Sequence, residues 1–159
     1  MYQDLVARIA AERRADYGSD IQPPATEEAL LRLCRRTRDE LGAELPEGYL
    51  DFLRLTDGLN WEGLFIYASD RNPVVGKPTV FMHSFVEDNL DWRSYEKRKN
   101  YLIFADGDIS LFVYNLVEGR YELQDRSSGT VLSTFDTFDG LITEALKSCL
   151  HDDKEYEDE

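Results

Sequence analysis

The sequence predicts an α+β protein in which N-terminal helices precede a mainly antiparallel sheet and a C-terminal helix packs on that sheet. Apolar residues recur at three- and four-residue spacing through the first 56 positions. From residue 64, short aromatic and β-branched runs alternate with turn signals, and a regular amphipathic pattern follows after them. Helices and strands segregated in this order are typical of helices layered on an antiparallel sheet.

Three helices are predicted before the first clear strand. The first carries one apolar face and ends near Tyr17-Gly18-Ser19; the face consists of Tyr2, Leu5, Val6 and Ile9. Thr26 is a good N-cap for the second helix, and Gly42 ends it. Pro46 suits the first position of the third helix, which Asp57-Gly58 breaks.

The strands are predicted from runs of extended-chain formers. The runs are Leu64–Tyr67, Tyr101–Ala105, Leu111–Tyr114, Tyr121–Gln124 and Thr130–Leu132. Tyr101–Ala105 has no polar position and reads as a central strand, whereas Tyr121–Gln124 alternates apolar with polar residues, as in a half-exposed strand. Arg71–Pro78 contains two prolines and a glycine and is predicted to be a loop. His83–Leu90 is predicted to be a short helix.

The amphipathic C-terminal helix completes the domain. Its apolar stripe consists of Phe138, Leu141, Ile142, Ala145, Leu146 and Cys149. No repeat, linker or change of composition marks a second domain, so residues 1–150 are predicted to be a single domain. Residues 151–159 hold six acids and one lysine and are predicted to be a disordered acidic tail.

The charge balance excludes one class of partner and favours another. The 159 residues carry a formal net charge of −14. Such a chain repels nucleic acid, whose binding depends on Lys and Arg, so a protein with a basic surface is the expected partner. No apolar run is long enough to span a membrane and the first residues do not resemble a signal peptide, so the expected location is cytoplasmic. Cys34 and Cys149 each fall on a helical apolar stripe and are predicted to be buried free thiols.

The common motifs of catalysis and metal binding do not occur in the sequence, and no catalytic residue, metal or cofactor is predicted. His83 is interpreted as a structural, hydrogen-bonding residue at a strand-to-helix junction. Gly76-Lys77-Pro78-Thr79 lacks the first glycine of a phosphate loop. Asp106-Gly107-Asp108 fits a hairpin turn better than a calcium loop, because the closing glutamate is missing.

Acidic and aromatic residues at predicted turns are the candidates for contact with a partner. They are Asp57, Trp61, Glu62, Asp70, Asp106 and Asp108. Each has a plain alternative as a turn former or a solvated surface charge. Trp61, and likewise Trp92, is either a lid on the core or part of a contact surface, since Trp is enriched in binding hot spots.

Six segments of the sequence match one known pattern: Leu45–Leu53, Thr56–Asn60, Gly63–Tyr67, Leu102–Gly107, Tyr121–Asp125 and Phe135–Asp139. In this order they resemble the SUKH superfamily, the fold of cell-wall assembly regulators and bacterial immunity proteins, in its YrhA-like form. The resemblance implies a non-enzymatic binding protein, most commonly an immunity protein that neutralises a nuclease or deaminase toxin. A housekeeping adaptor of the same fold and a hydrolase with a carboxylate-based site are the alternatives.

Overall fold

The computed structural model describes residues 2–150, which form five α-helices and eight strands. The helices are α1 (Tyr2–Tyr17), α2 (Glu27–Arg36), α3 (Glu47–Leu55), α4 (Phe85–Trp92) and α5 (Phe138–Ser148). The strands are β1 (Leu59–Trp61), β2 (Leu64–Ile66), β3 (Pro73–Val74), β4 (Lys77–Phe81), β5 (Tyr101–Asp106), β6 (Ser110–Asn115), β7 (Arg120–Asp125) and β8 (Val131–Phe135). A π-helical turn, Thr37–Leu41, extends α2, and a 3-10 turn, Glu96–Arg98, precedes β5.

Six strands form one antiparallel sheet in the order β1-β2-β5-β6-β7-β8. The chain leaves this sheet only between β2 and β5, where it forms the β3–β4 hairpin and α4. The three N-terminal helices come before the sheet and α5 packs on it. The predicted α+β class is therefore confirmed.

The ends of the N-terminal helices are determined by nearby capping residues. Thr26 Oγ1 accepts a hydrogen bond from Ala29 N at 3.1 Å and so caps α2, as predicted. Gly42 ends the π-helical turn in the left-handed region, with φ of 65°. Pro46 is the residue before α3 rather than its first residue.

Aromatic rings fill the space between the helices and the inner face of the sheet. Phe138 of α5 contacts the rings of Tyr49, Phe104 and Tyr121. The buried Tyr49 hydroxyl donates to the backbone oxygen of Tyr67 at 2.6 Å, which ties α3 to the end of β2. Since Tyr121 and Leu123 alternate with Glu122 and Gln124 along β7, the two polar residues point to the outer face.

The prediction that β7 is half-exposed is wrong on this outer face. Glu122 and Gln124 are both buried. Arg98 lies over Gln124, donating to its Oε1 at 2.9 Å and to the backbone oxygen of Arg126 at 2.7 Å. The segment around Glu96–Arg98 therefore covers a face that alternation alone marks as open to water.

The loop predicted at Arg71–Pro78 is also wrong, because Pro73–Val74 and Lys77–Phe81 pair as the β3–β4 hairpin. Proline is tolerated there because the hairpin has only two strands and both are edges. Gln22 fastens the hairpin to the segment after α1 by donating to Pro73 O at 3.1 Å and accepting from Val75 N at 2.7 Å. The predicted His83–Leu90 helix forms two residues later in the chain, as α4.

Both cysteines are free thiols, as predicted. Cys149 is buried as expected, whereas Cys34 is only half-buried. Within residues 2–150, no helix has both the length and the apolar character needed to cross a membrane. The prediction of a disordered acidic tail at residues 151–159 lies outside the described residues.

Candidate functional site

The structure divides the six predicted contact residues among four places. Asp57 and Asp70 line one groove near the end of α3, and Glu62 and Asp108 line another at the β1–β2 and β5–β6 turns. Trp61 is at the end of β1, and Asp106 lies in a cleft on the outer face of the sheet. Their role in binding stays a prediction, but they do not form one patch.

Asp57 is used inside the fold. Its carboxylate is buried and accepts hydrogen bonds from Ser69 N at 2.8 Å, Ser69 Oγ at 2.7 Å and Asn72 Nδ2 at 3.3 Å. Burial raises the pKa of Asp57, and the bonds from Ser69 oppose that rise. Asp57 thus joins the end of α3 to the segment after β2, whereas Asp70 is exposed.

Glu62 and Asp108 are exposed at one end of the sheet, where the β1–β2 and β5–β6 turns meet. Gly63 lies so close to Asp108 that a Cβ atom there would be 3.0 Å from the carboxylate oxygens. Trp61, next to Glu62, is 6% exposed and belongs to the hydrophobic core. Of the two interpretations of Trp61, burial in the core is the one that the structure favours.

A cleft of about 600 Å³ opens between α4, the residues just after it and the outer face of the sheet; we call it the α4 cleft. Its lining includes Phe65, His83, Asp88, Asp91, Tyr95 and Arg126, together with Trp92 and Asp106. Phe65 of β2 and Asp106 of β5 are register partners and so share the face that forms the floor. Asn89 of α4 bonds to both the N–H and the carbonyl of Ile103 at 2.8 Å and holds the helix against β5.

A chain of hydrogen bonds forms one wall of the α4 cleft. Trp92 Nε1 donates to the Tyr67 hydroxyl at 2.9 Å, and that hydroxyl donates to Asp106 Oδ2 at 2.7 Å. Arg126 donates to Asp106 Oδ1 at 3.0 Å, and its guanidinium lies 5.5 Å from the centre of the Trp92 ring. Burial and the neighbouring Asp106 raise the pKa of Tyr67, so the hydroxyl stays protonated and acts as a donor. Trp92 is therefore a structural member of the wall that also faces the opening.

His83 and Asp88 form a second pair in the α4 cleft. His83 Nδ1 lies 2.8 Å from Asp88 Oδ2, and this hydrogen bond raises the pKa of the imidazole. His83 also contacts the rings of Phe65 and Tyr67, at centroid distances of 4.9 and 6.2 Å. The predicted position at a strand-to-helix junction is confirmed, because His83 lies between β4 and α4.

The opening of the α4 cleft is acidic and aromatic. Asp91 is exposed, and its carboxylate makes no hydrogen bond or ion pair within residues 2–150. The Tyr95 ring is 61% exposed and lies 6.4 Å from that of Trp92. A carboxylate without a partner beside exposed aromatic rings suits the cationic, partly apolar side chain of Arg or Lys.

The sequence contains a signal for this opening that the turn-based prediction missed. Asp88, Asp91 and Trp92 are spaced by three and four residues, which places them along one face of a helix, and Tyr95 follows three residues after the end of α4. Arg126, by contrast, reaches the α4 cleft from the other end of the chain, and only the tertiary structure brings it there. Within the described part of the chain, no group of three or more His, Cys, Asp and Glu side chains is placed to hold a metal ion.

Comparison with known proteins adds no assignment, because no protein-family model and no curated protein matches the chain.

Proposed function

We propose that this chain is a non-enzymatic protein-binding domain, and specifically an immunity protein that neutralises a toxin by covering its basic surface. The observation that carries the proposal is the opening of the α4 cleft, where Asp91 and Tyr95 are exposed while the groups beneath them are already paired. The resemblance of Leu45–Leu53 and the segments after it to the SUKH superfamily supports the same function.

The pairing within the α4 cleft favours binding over catalysis. Asp106 is engaged by Tyr67 and Arg126, so it is not available as a general base. Ser84 and Ser94, the hydroxyl groups closest in sequence to His83 and Asp91, bond instead to Glu87 and to the backbone oxygen of Asp91. Groups that are already hydrogen-bonded, beneath an exposed acid and an exposed aromatic ring, are features of a docking surface.

A hydrolase is the second candidate, and the His83–Asp88 pair is the observation that favours it. A histidine held by a carboxylate is the arrangement of many general bases. It ranks second because neither serine hydroxyl beside the α4 cleft is directed to His83.

Charge favours a basic partner. The chain has 32 acidic residues against 18 Lys and Arg, so its field attracts a cationic protein over a distance of about 10 Å at 0.1 M salt. Nuclease and deaminase toxins commonly carry such surfaces to hold their nucleic-acid substrates. The association is therefore expected to be fast and sensitive to salt.

Co-expression with the product of the neighbouring gene, followed by affinity measurement at low and high salt, tests the proposal. We expect Asp91→Lys to weaken binding at least tenfold, because it places a like charge against the basic partner, and Tyr95→Ala to weaken it through lost contact area. Glu144→Lys, an exposed acid on α5, is the matched control with the same charge change.

The outcomes separate the alternatives. If Asp108→Lys weakens binding and Asp91→Lys does not, the turn end of the sheet is the interface and the α4 cleft is not. If the neighbouring product binds but has no toxic activity, the adaptor function replaces immunity. If it does not bind at either salt concentration, the proposal is wrong.

A further inference from the structure

A second cavity, of about 340 Å³, lies beside the β1–β2 hairpin and shares only Phe65 with the α4 cleft; we call it the edge cavity. It is enclosed by the last turns of α1, the β1–β2 hairpin and the β3–β4 hairpin. The residues that matter are Arg13, Tyr17, Asn60, Trp61, Glu62 and Lys77. The proposed docking function uses none of its interior.

Buried polar groups around the edge cavity lack partners within residues 2–150. Arg13 is 7% exposed; it donates to the backbone oxygens of Asn60 and Val75, at 3.0 and 3.1 Å, but its Nε has no acceptor. The indole N–H of Trp61, a residue that is 6% exposed, also has no acceptor, and Asn60 Oδ1 has no donor. A buried group left without a hydrogen bond costs about 1–3 kcal/mol, so three of them around one cavity point to a ligand.

The charges around the edge cavity differ from those of the rest of the protein. Arg13 and Lys77 supply two cations and Glu62 supplies one carboxylate, in a chain whose net charge is −14. Lys77 Nζ lies 5.4 Å from the centre of the Tyr17 ring, and that ring meets Trp61 edge to face at 5.7 Å. A cationic side and an apolar aromatic wall therefore face the same space, with Glu62 also on the lining.

We propose that the edge cavity binds a free amino acid with an apolar or aromatic side chain. The carboxylate of such a ligand matches Arg13 and Lys77 and gives the N–H groups of Arg13 and Trp61 an acceptor. Its ammonium group matches Glu62 and gives Asn60 Oδ1 a donor. Its side chain packs on the Tyr17 and Trp61 rings, and the volume of the cavity is within the range of small-ligand sites.

The Trp61 indole N–H provides a direct measurement, because its NMR resonance shifts when it gains an acceptor. The two tryptophans give two indole signals, and the Trp61→Phe variant assigns them. We expect a saturable shift of the Trp61 signal with L-phenylalanine and with L-leucine, while the Trp92 signal stays in place. The analogues 3-phenylpropionate, which lacks the amino group, and phenethylamine, which lacks the carboxylate, are expected to bind at least tenfold more weakly.

Lys77→Ala is expected to weaken L-phenylalanine binding at least tenfold, and it removes an exposed side chain, so the fold should survive. Lys99→Ala, an exposed lysine that pairs with Glu96, is the matched control and should leave binding unchanged. The proposal is overturned if neither amino acid shifts the Trp61 signal saturably, since the cavity then holds only solvent. It is also overturned if the two analogues bind as well as L-phenylalanine, or if Lys77→Ala has no effect.

Discussion

At the scale of single residues, one carboxylate has the largest effect on the pKa of His83. Asp88 accepts from its ring at 2.8 Å, and this raises the pKa above the ordinary value near 6.5. Because the folded pKa is the higher one, the pair stabilises the fold fully below the unfolded pKa, and this contribution is lost as the pH rises through the folded pKa. The pair thus extends upward the pH range over which His83 carries a positive charge.

We predict that Asp88→Asn lowers the pKa of His83 toward 6.5, because the amide offers no negative charge to the imidazolium. An NMR titration of the His83 ring signals measures this pKa in the wild-type protein and in the variant. Asp91→Asn, three residues along the same helix, is the control and should move the pKa much less, since Asp91 does not bond to the ring. Equal shifts in the two variants would mean that the general acidity of the α4 cleft, and not the hydrogen bond, sets the pKa.

At the scale of elements, the passage from α3 into β1 depends on Gly58. Its φ of 81° is in the left-handed region, and a Cβ atom there would lie 2.8 Å from Ala68 Cβ and 2.9 Å from the backbone oxygen of Ile66. The backbone of Gly58 packs directly on the backbone of Ile66. This close contact keeps α3 near the end of β2, where the Tyr49 hydroxyl donates to Tyr67 O. Gly18 has a similar φ, 68°, but nothing lies within 4 Å of the site of a Cβ.

We predict that Gly58→Ala lowers the free energy of unfolding by about 3 kcal/mol or more, as backbone strain of about 1–2 kcal/mol adds to a clash costing about 1–3 kcal/mol. Gly18→Ala has the strain without the clash and should cost only about 1–2 kcal/mol. Urea unfolding of both variants measures the difference. Equal losses would show that the contact at Gly58 relaxes without cost.

At the scale of the whole molecule, a buried polar network holds the covering segment around Glu96–Arg98 onto the outer face of the sheet. Glu122, buried on β7, accepts from Arg120 Nε at 2.7 Å, Gln124 Nε2 at 2.9 Å and Asn115 Nδ2 at 3.2 Å. Gln124 in turn accepts from Arg98. Burial raises the pKa of Glu122, but these hydrogen bonds outweigh burial and leave it lowered.

We predict that Glu122→Gln lowers the free energy of unfolding at pH 7 by about 1–3 kcal/mol, because the charge-assisted bond to Arg120 is lost. Because the pKa of Glu122 is lowered in the folded protein, the extra stability of the wild-type protein is present at pH values above the ordinary glutamate pKa of 4.5. This extra stability is lost as the pH falls through the folded pKa. Urea unfolding at pH 7 and at successively lower pH should therefore show the free energies of unfolding of the two proteins converging. Glu118→Gln, in the exposed β6–β7 turn, should change stability by less than about 0.5 kcal/mol. A difference for Glu122→Gln that does not narrow as the pH falls would contradict the prediction.

The sequence by itself determined the α+β class and most element boundaries, since these depend on residues close together in the chain. Thr26 caps its own helix, Gly42 ends its own turn, and the amphipathic stripe of α5 shows which side is apolar. The sequence predicts only part of the candidate site. Asp106 was found, but as a turn acid rather than as a member of the α4 cleft, because its partners Tyr67 and Arg126 lie 39 and 20 residues away.

Tertiary structure decided which faces are covered and where cavities remain. Periodicity shows that one side of β7 is polar, but not that Arg98 will bury it, and two prolines suggest a loop unless a separate two-stranded hairpin accommodates them. The α4 cleft and the edge cavity each assemble from segments far apart in sequence. The physical reason is that local propensity acts over one helical turn or hairpin, whereas burial and charge pairing depend on which segment packs against which.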